Sequence, residues 1–359
     1  MKAVKKVFVA LSAILVWTAV PAVSANAVSI GQTCAKTTLG TRVSIRVSKK
    51  PVIVVCRNIA GRKKWIRAAV QTLATTTTST STTSTTVPVS IPEPVINYTD
   101  VVDSVDPTLH TITIEGMQPR TYLLKVPTNY VAGTSVPLLL ALHSRSTNAK
   151  TIFEDSQILS LAEEKNFIVA GVNGSLYEDY TSWNAGNCCT YATTNQENDL
   201  LLVSTIIDYL ETQYSVDKSR VWAMGHSNGG MMAYRIACDL SEKITAIAVV
   251  AGALVDDTCS PTKPVPIIHI HGNLDTTVPF HGGGKFETPN IYFSAVDFAK
   301  SNSCTSAPAE AVGPIKEKYL WNCKNGFESV LVNYQEQSHG WAPGYTDEIV
   351  AFLFAHPRK

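Results

Sequence analysis

The sequence predicts an α/β fold, a mostly parallel sheet with helices on both faces, preceded by a small basic module and a Thr/Ser-rich linker. Three observations carry this reading. Fully apolar runs of strand length recur through residues 95–359, separated by segments with helical spacing. One such run, Arg220-Val221-Trp222-Ala223-Met224, leads into Gly225-His226-Ser227-Asn228-Gly229, and the stretch from Gly230 to Ala237 then reads as a helix. Finally, a block made only of Thr and Ser, from Thr75 to Thr86, separates two parts of opposite charge.

From the N-terminus, residues 1–27 read as a secretory signal. Lys2, Lys5 and Lys6 precede a weakly polar to apolar run from Val7 to Val20, and Ala25-Asn26-Ala27 supplies a small-x-small cleavage site. The run falls short of the roughly 20 apolar residues that span a bilayer. No later stretch is long enough either, so stable membrane insertion is not expected and the mature chain should be secreted. Residues 28–73 form a small module with ten Lys and Arg and no acid, a formal charge of +10. Residues 74–94 contain the Thr/Ser block followed by Pro88, Pro92 and Pro94, and such a stretch cannot bury a core. Residues 95–359 carry −11, so the near-neutral total of +1 hides a polarised chain. The module reads as an electrostatic anchor to an anionic cell-wall polymer or acidic polysaccharide, against the plainer reading of a solvated basic domain. Export argues against nucleic acid as its partner.

Eight Cys in an exported chain point to disulfides, and no C-x-x-C pair favours zinc. Cys34 is expected to pair with Cys56, and Cys304 with Cys323. Cys188, Cys189, Cys238 and Cys259 remain open among three connectivities.

Within the large domain, Thr111–Ile114 and Tyr122–Val126 read as an opening antiparallel pair. The apolar runs 136–142, 167–170, 221–224, 244–250, 265–270 and 330–334 follow as strands. Leu200, Val203, Ile206, Ile207 and Leu210 have helical spacing within Asp199–Tyr214, and Glu348–Phe354 closes the domain as a helix. Functional groups in such sheets gather at the carboxyl ends of the strands. Ser227 follows the 221–224 run, Asp275 the 265–270 run, and His339 the 330–334 run. The chain order Ser, Asp, His is that of α/β-hydrolases. Serine needs a neutral imidazole to take its proton, and the imidazole needs a carboxylate to fix its tautomer and stabilise its cation. His143, His226 and His271 are structural alternatives to His339; Asp256, Asp257 and Asp297 are surface or capping alternatives to Asp275.

These motifs, with Ser182-Trp183-Asn184-Ala185-Gly186-Asn187-Cys188-Cys189, Asn198-Asp199 and His271–Pro279, resemble the esterase family that contains polyhydroxybutyrate depolymerases and feruloyl esterases. The resemblance covers roughly residues 105–355. It implies an α/β-hydrolase fold with no metal and no cofactor, with Ser227 as nucleophile, Asp275 as acid and His339 as base. Its oxyanion hole would use the backbone N–H of Asn228 and one donor from the loop after Leu142, assigned to Arg145. That loop reads His143-Ser144-Arg145-Ser146 where relatives often carry His-Gly, and Ala342 interrupts a common Trp-Pro. Trp183, Asn184 and Trp341 are candidate substrate contacts, with core packing as the alternative for both tryptophans. The expected activity is hydrolysis of feruloyl or acetyl esters on polysaccharide. A short-chain polyhydroxyalkanoate substrate is the alternative, and a non-catalytic wall-binding protein is the alternative of another class.

Overall fold

A computed structural model describes residues 42–47, 50–59, 62–67, 97–100 and 107–358 except 257, 312 and 314. Residues 1–27, the whole linker at 74–94 and Cys34 lie outside the described residues, and the expected Cys34–Cys56 pairing lies there with them. The chain divides into two units at Val87 and Pro88.

The first unit contains strands β1 (Arg42–Val47), β2 (Lys50–Ile59) and β3 (Arg62–Arg67), paired antiparallel in that order. Of its ten cations, Lys36 and Lys49 lie outside these strands.

The second unit begins with β4 (Asn97–Asp100), β5 (Thr108–Thr113), β6 (Arg120–Lys125) and β7 (Val136–Leu142). Helices α1 (Ala149–Ser156) and α2 (Ile158–Lys165) lead to β8 (Ile168–Val172), then to the small hairpin β9 (Ser175–Tyr177) and β10 (Tyr180–Ser182). Next come α3 (Thr190–Thr194), α4 (Asp199–Gln213), β11 (Val216–His226), α5 (Asn228–Asp239), β12 (Ala246–Val250) and β13 (Ile267–Gly272). The unit closes with α6 (Ile291–Ser301), β14 (Cys304–Ala311), β15 (Lys316–Cys323), β16 (Glu328–Tyr334) and α7 (Tyr345–Ala355).

Eleven strands form one sheet in the order β14-β15-β16-β13-β12-β11-β7-β8-β6-β5-β4. Its centre, β8-β7-β11-β12-β13-β16, is parallel throughout. Antiparallel strands flank it on both sides. Alternation along each central strand explains why these runs are wholly apolar. Leu138, Leu140 and Leu142 pack into the core shared with α4, α5 and α6, while Leu139 and Ala141 pack into the core shared with α1, α2 and α7. Val221 and Ala223 face the first core, and Trp222 and Met224 the second. The helices therefore cover both faces and leave the strand ends for chemistry.

Three disulfides lie in the second unit. Cys304–Cys323 is present, joining β14 and β15 at directly opposed positions. The remaining four cysteines pair as Cys188–Cys189 and Cys238–Cys259.

Candidate active site

β11 ends in a turn too tight for side chains. A Cβ on Gly225 would sit 2.2 Å from the Gly229 carbonyl oxygen, so only glycine lets the chain double back into α5. Ser227 at the tip adopts φ +54° and ψ −117°, a strained conformation for a non-glycine residue that costs about 1–3 kcal/mol. Its N–H donates to the Val250 carbonyl at the end of β12, which pins the turn to the sheet. The hydroxyl is thereby raised off the strand end, at the head of α5.

Two loops bring the partners of Ser227. Backbone bonds from Asn273 N to Tyr334 O (2.8 Å) and from Leu274 N to Gln337 O (2.9 Å) tie the loop after β13 to the loop after β16. The first loop carries Asp275 and the second His339. His339 Nε2 lies 2.9 Å from Ser227 Oγ, and His339 Nδ1 lies 2.7 Å from Asp275 Oδ2. The three residues expected from their strand-end positions meet in one hydrogen-bonded line.

Asp275 is buried, and its Oδ1 accepts from Thr277 N and Val278 N, both at 2.8 Å. Burial opposes its charge. The hydrogen bonds from His271, His339 and Val278 outweigh that cost and hold the carboxyl well below its ordinary range. His226 packs beside His339, with ring centroids 5.2 Å apart. Burial and the neighbouring His339 lower its pKa to about 4, which keeps it a neutral neighbour.

A cavity of about 200 Å³ opens on Ser227 and His339 and is lined also by Ser144, Arg145, Asn228, Cys189, Met231 and Phe286. Asn228 is the first residue of α5, so its backbone N–H is among those that helix geometry leaves unpaired. In the loop after β7, Ser146 N donates to Thr181 O and Thr147 N to Ser144 O. The Arg145 guanidinium sits 5.6 Å from the Phe286 ring centroid, a cation–π contact.

None of Trp183, Asn184 and Trp341, the three expected substrate contacts, lines this cavity. Trp183 is fully buried, and its indole N–H donates to the His143 carbonyl at 2.9 Å. Its backbone N–H and carbonyl both bond the Asn228 side chain. Trp183 therefore braces the loop carrying Ser144 and Arg145 against the elbow and has no surface to offer a substrate. Asn184 is buried as well. Its N–H donates to Asp199 Oδ2, its side chain to the Glu197 carbonyl, and its own carbonyl accepts from Arg235. Trp341 stands edge-on to His226 with its indole N–H on Thr346 Oγ1, and it lines an adjoining groove with Gln157 and Ser160. The cavity walls contributed by Cys189, Met231 and Phe286 were not anticipated from sequence. Met231, one turn beyond Ser227 on α5, was open to anticipation from helical spacing alone.

A parallel sheet, a strained serine elbow and a Ser–His–Asp hydrogen-bonded line define an α/β-hydrolase. Comparisons with known proteins agree. The Phospholipase/Carboxylesterase family matches residues 192–304. Feruloyl esterase B of Piromyces equi is 28% identical over 240 residues, covering 63% of this chain and 43% of that protein. The probable feruloyl esterase C of Aspergillus flavus is 30% identical over 199 residues, covering 54% of this chain and 66% of that one. The chain thus spans less than half of the first relative and just under two thirds of the second. Among solved structures, the acetyl xylan esterase from Aspergillus awamori superposes with a TM-score of 0.51 at 17% identity, covering 72% of this chain and 99% of that one, a likeness of fold. This chain has an α/β-hydrolase fold, and its sequence is similar to feruloyl esterases.

Proposed function

We propose that the protein is a secreted serine carboxylic-ester hydrolase that cleaves feruloyl and related esters linked to polysaccharide. The observation that carries this reading is the line Ser227–His339–Asp275, with both contacts at hydrogen-bond length. His339 takes the Ser227 proton as the oxygen attacks the ester carbonyl, and Asp275 holds the imidazole in the required tautomer and stabilises its cation. His339 then returns the proton to the departing alcohol. Water, activated by the same imidazole, releases the acid from the acyl-serine. The backbone N–H groups of Asn228 and Arg145 are the proposed oxyanion donors, each worth about 3 kcal/mol to such a barrier.

The cavity's apolar wall suits an aromatic acyl group. Cys189 and Met231 offer polarisable sulfur, which packs well against rings. Phe286 offers a ring for stacking. The feruloyl esterase relatives support the same substrate class. No helix among the described residues is long and apolar enough to cross a membrane, and secretion rests on the signal-like residues 1–27. The basic module at residues 28–73 is proposed to hold the enzyme on an anionic polysaccharide.

The test is a hydrolysis panel of methyl ferulate, acetylated xylan and polyhydroxybutyrate. Methyl ferulate should be turned over, and Ser227→Ala should lower its kcat by at least about 1,000-fold with the circular dichroism spectrum unchanged. Turnover retained by the alanine variant would refute the nucleophile, and turnover of polyhydroxybutyrate alone would refute the substrate class.

A further inference from the structure

Behind Asp275 runs a line of buried polar groups that ester hydrolysis itself does not use. His271 Nε2 lies 3.3 Å from Asp275 Oδ2 and 2.8 Å from the Val278 carbonyl oxygen. His271 Nδ1 lies 3.1 Å from His269 Nε2, and His269 Nδ1 lies 2.8 Å from the Tyr234 hydroxyl. Both histidines and the tyrosine are fully buried. His269 and His271 are two apart on β13 and so share one face of the strand, and Tyr234 reaches them from α5.

The protons in this line can be assigned by elimination. His271 Nε2 faces only acceptors, a carboxylate and a carbonyl, so it carries hydrogen. In a neutral His271, Nδ1 is then an acceptor, and His269 Nε2 must donate to it. His269 Nδ1 is in turn an acceptor, and the Tyr234 hydroxyl donates to it. Every bond then runs one way, from Tyr234 toward Asp275. If the tyrosine accepted instead, both His269 and His271 would reverse at their shared contact. His271 would need hydrogen on both nitrogens and would become a cation beside Asp275. That cation would compete with the His339 imidazolium for the same carboxylate.

We propose that Tyr234, His269 and His271 act as a positioning relay that keeps His271 neutral, with its one Nε2 hydrogen shared between the Val278 carbonyl and Asp275, so that the carboxylate's orientation and full charge serve His339. The proposal rests on the reading of Asp275 as the triad acid. The surroundings favour the neutral direction. Burial pushes His269 well below its ordinary pKa and Tyr234 upward, which leaves the tyrosine a hydroxyl donor. The groups facing His271 are Asp275, His269, the Val278 carbonyl and the Phe280 ring, with His226 as a neighbouring ionisable group. Those facing His269 are Tyr234, His271 and the Gly252 backbone.

His271→Leu removes the donor to Asp275, and His271→Gln places an amide N–H near the position of Nε2. With methyl ferulate, the leucine variant should lose about 10- to 100-fold in kcat with KM changed less than about threefold, and the glutamine variant should recover to within about fivefold of the parent. Histidine-labelled protein observed by nitrogen NMR at pH 7 should show His271 protonated at Nε2 alone. Tyr234→Phe, which removes a single oxygen, should move the His271 nitrogens toward the doubly protonated pattern. A folded leucine variant with parental kcat, a glutamine variant no better than leucine, a doubly protonated His271 in the parent, or unchanged His271 nitrogens in Tyr234→Phe would each overturn the relay. The spectra are taken on the Ser227→Ala protein as well. Turnover by that variant would defeat the serine reading, while its nitrogen shifts still decide the relay.

Discussion

Burial of ionisable side chains sets the acid stability of the second unit residue by residue. His143 and His226 are each lowered to about 4, in both cases chiefly by burial. An unfolded histidine titrates near 6.5. Between those values the unfolded chain binds a proton that the folded chain refuses, so stability is lost as pH falls through this window. The slope is about 1.4 kcal/mol per pH unit for each histidine. Asp275 acts in a lower window. Its folded pKa is depressed, so its contribution is full above the unfolded value of about 3.9 and is lost only as pH falls further. Thermal melts should therefore decline steadily from pH 6.5 toward pH 4, before the carboxylates titrate. A melting temperature flat between pH 7 and pH 4.5 would contradict the burial of these histidines. At this scale the sequence was informative about chemistry and less so about orientation. The meeting of Ser227, Asp275 and His339 was legible because each follows an apolar strand, in an order that brings their side chains to one end of the sheet. Trp183 was not, because a tryptophan in a polar loop reads alike whether it faces the cavity or braces the loop behind it. Only the bond from its indole to the His143 carbonyl separates the two.

The elements meet where backbone comes closest to backbone. Gly272, the last residue of β13, lies so near the His339 loop that an added Cβ would stand 2.3 Å from the Gln337 carbonyl oxygen and 2.7 Å from that of Ser338. Backbone cannot yield as a flexible side chain can. Gly272→Ala should push the His339 loop away from the Asp275 loop and lengthen the His339–Asp275 contact. A displacement near 1 Å in a reacting constellation costs about 100-fold in rate. The expected outcome is a fall in kcat of that order, with Ser227 still labelled slowly by a phosphonate and the melting temperature lowered. Parental kcat would mean that the loops separate without loss. This closeness could not be read from Gly272 alone, since the residue it excludes lies 65 positions along the chain. The central parallel strands were legible because burial on both faces demands unbroken apolar runs. The β14–β15 hairpin was not. Thr305, Ser306 and Pro308 give β14 little strand character, and the ladder shifts register between Ser306 and Ala309. Proline is tolerated there because β14 is an edge strand.

At the scale of the whole molecule, the charge division is what the proposed anchoring rests on. Residues 95–359, at −11, should be repelled by an acidic polysaccharide, and residues 28–73, at +10, should be drawn to it. The attraction is one between exposed charges and so should weaken over the screening length, about 10 Å at 0.1 M salt and about 3 Å at 1 M. On immobilised polygalacturonate at low ionic strength, the mature chain should be retained and should elute as salt rises. Deleting residues 28–73 should abolish retention outright, because what remains carries the same sign as the matrix. Turnover of soluble methyl ferulate should be unchanged by the deletion, since the cavity and the Ser227–His339–Asp275 line lie within the second unit. Turnover of a feruloylated, uronate-bearing polysaccharide should fall at low salt and converge with that of the parent at high salt. Equal retention of the two proteins would remove the anchor. Equal loss on soluble and polymeric esters would show instead that the module supports the catalytic fold.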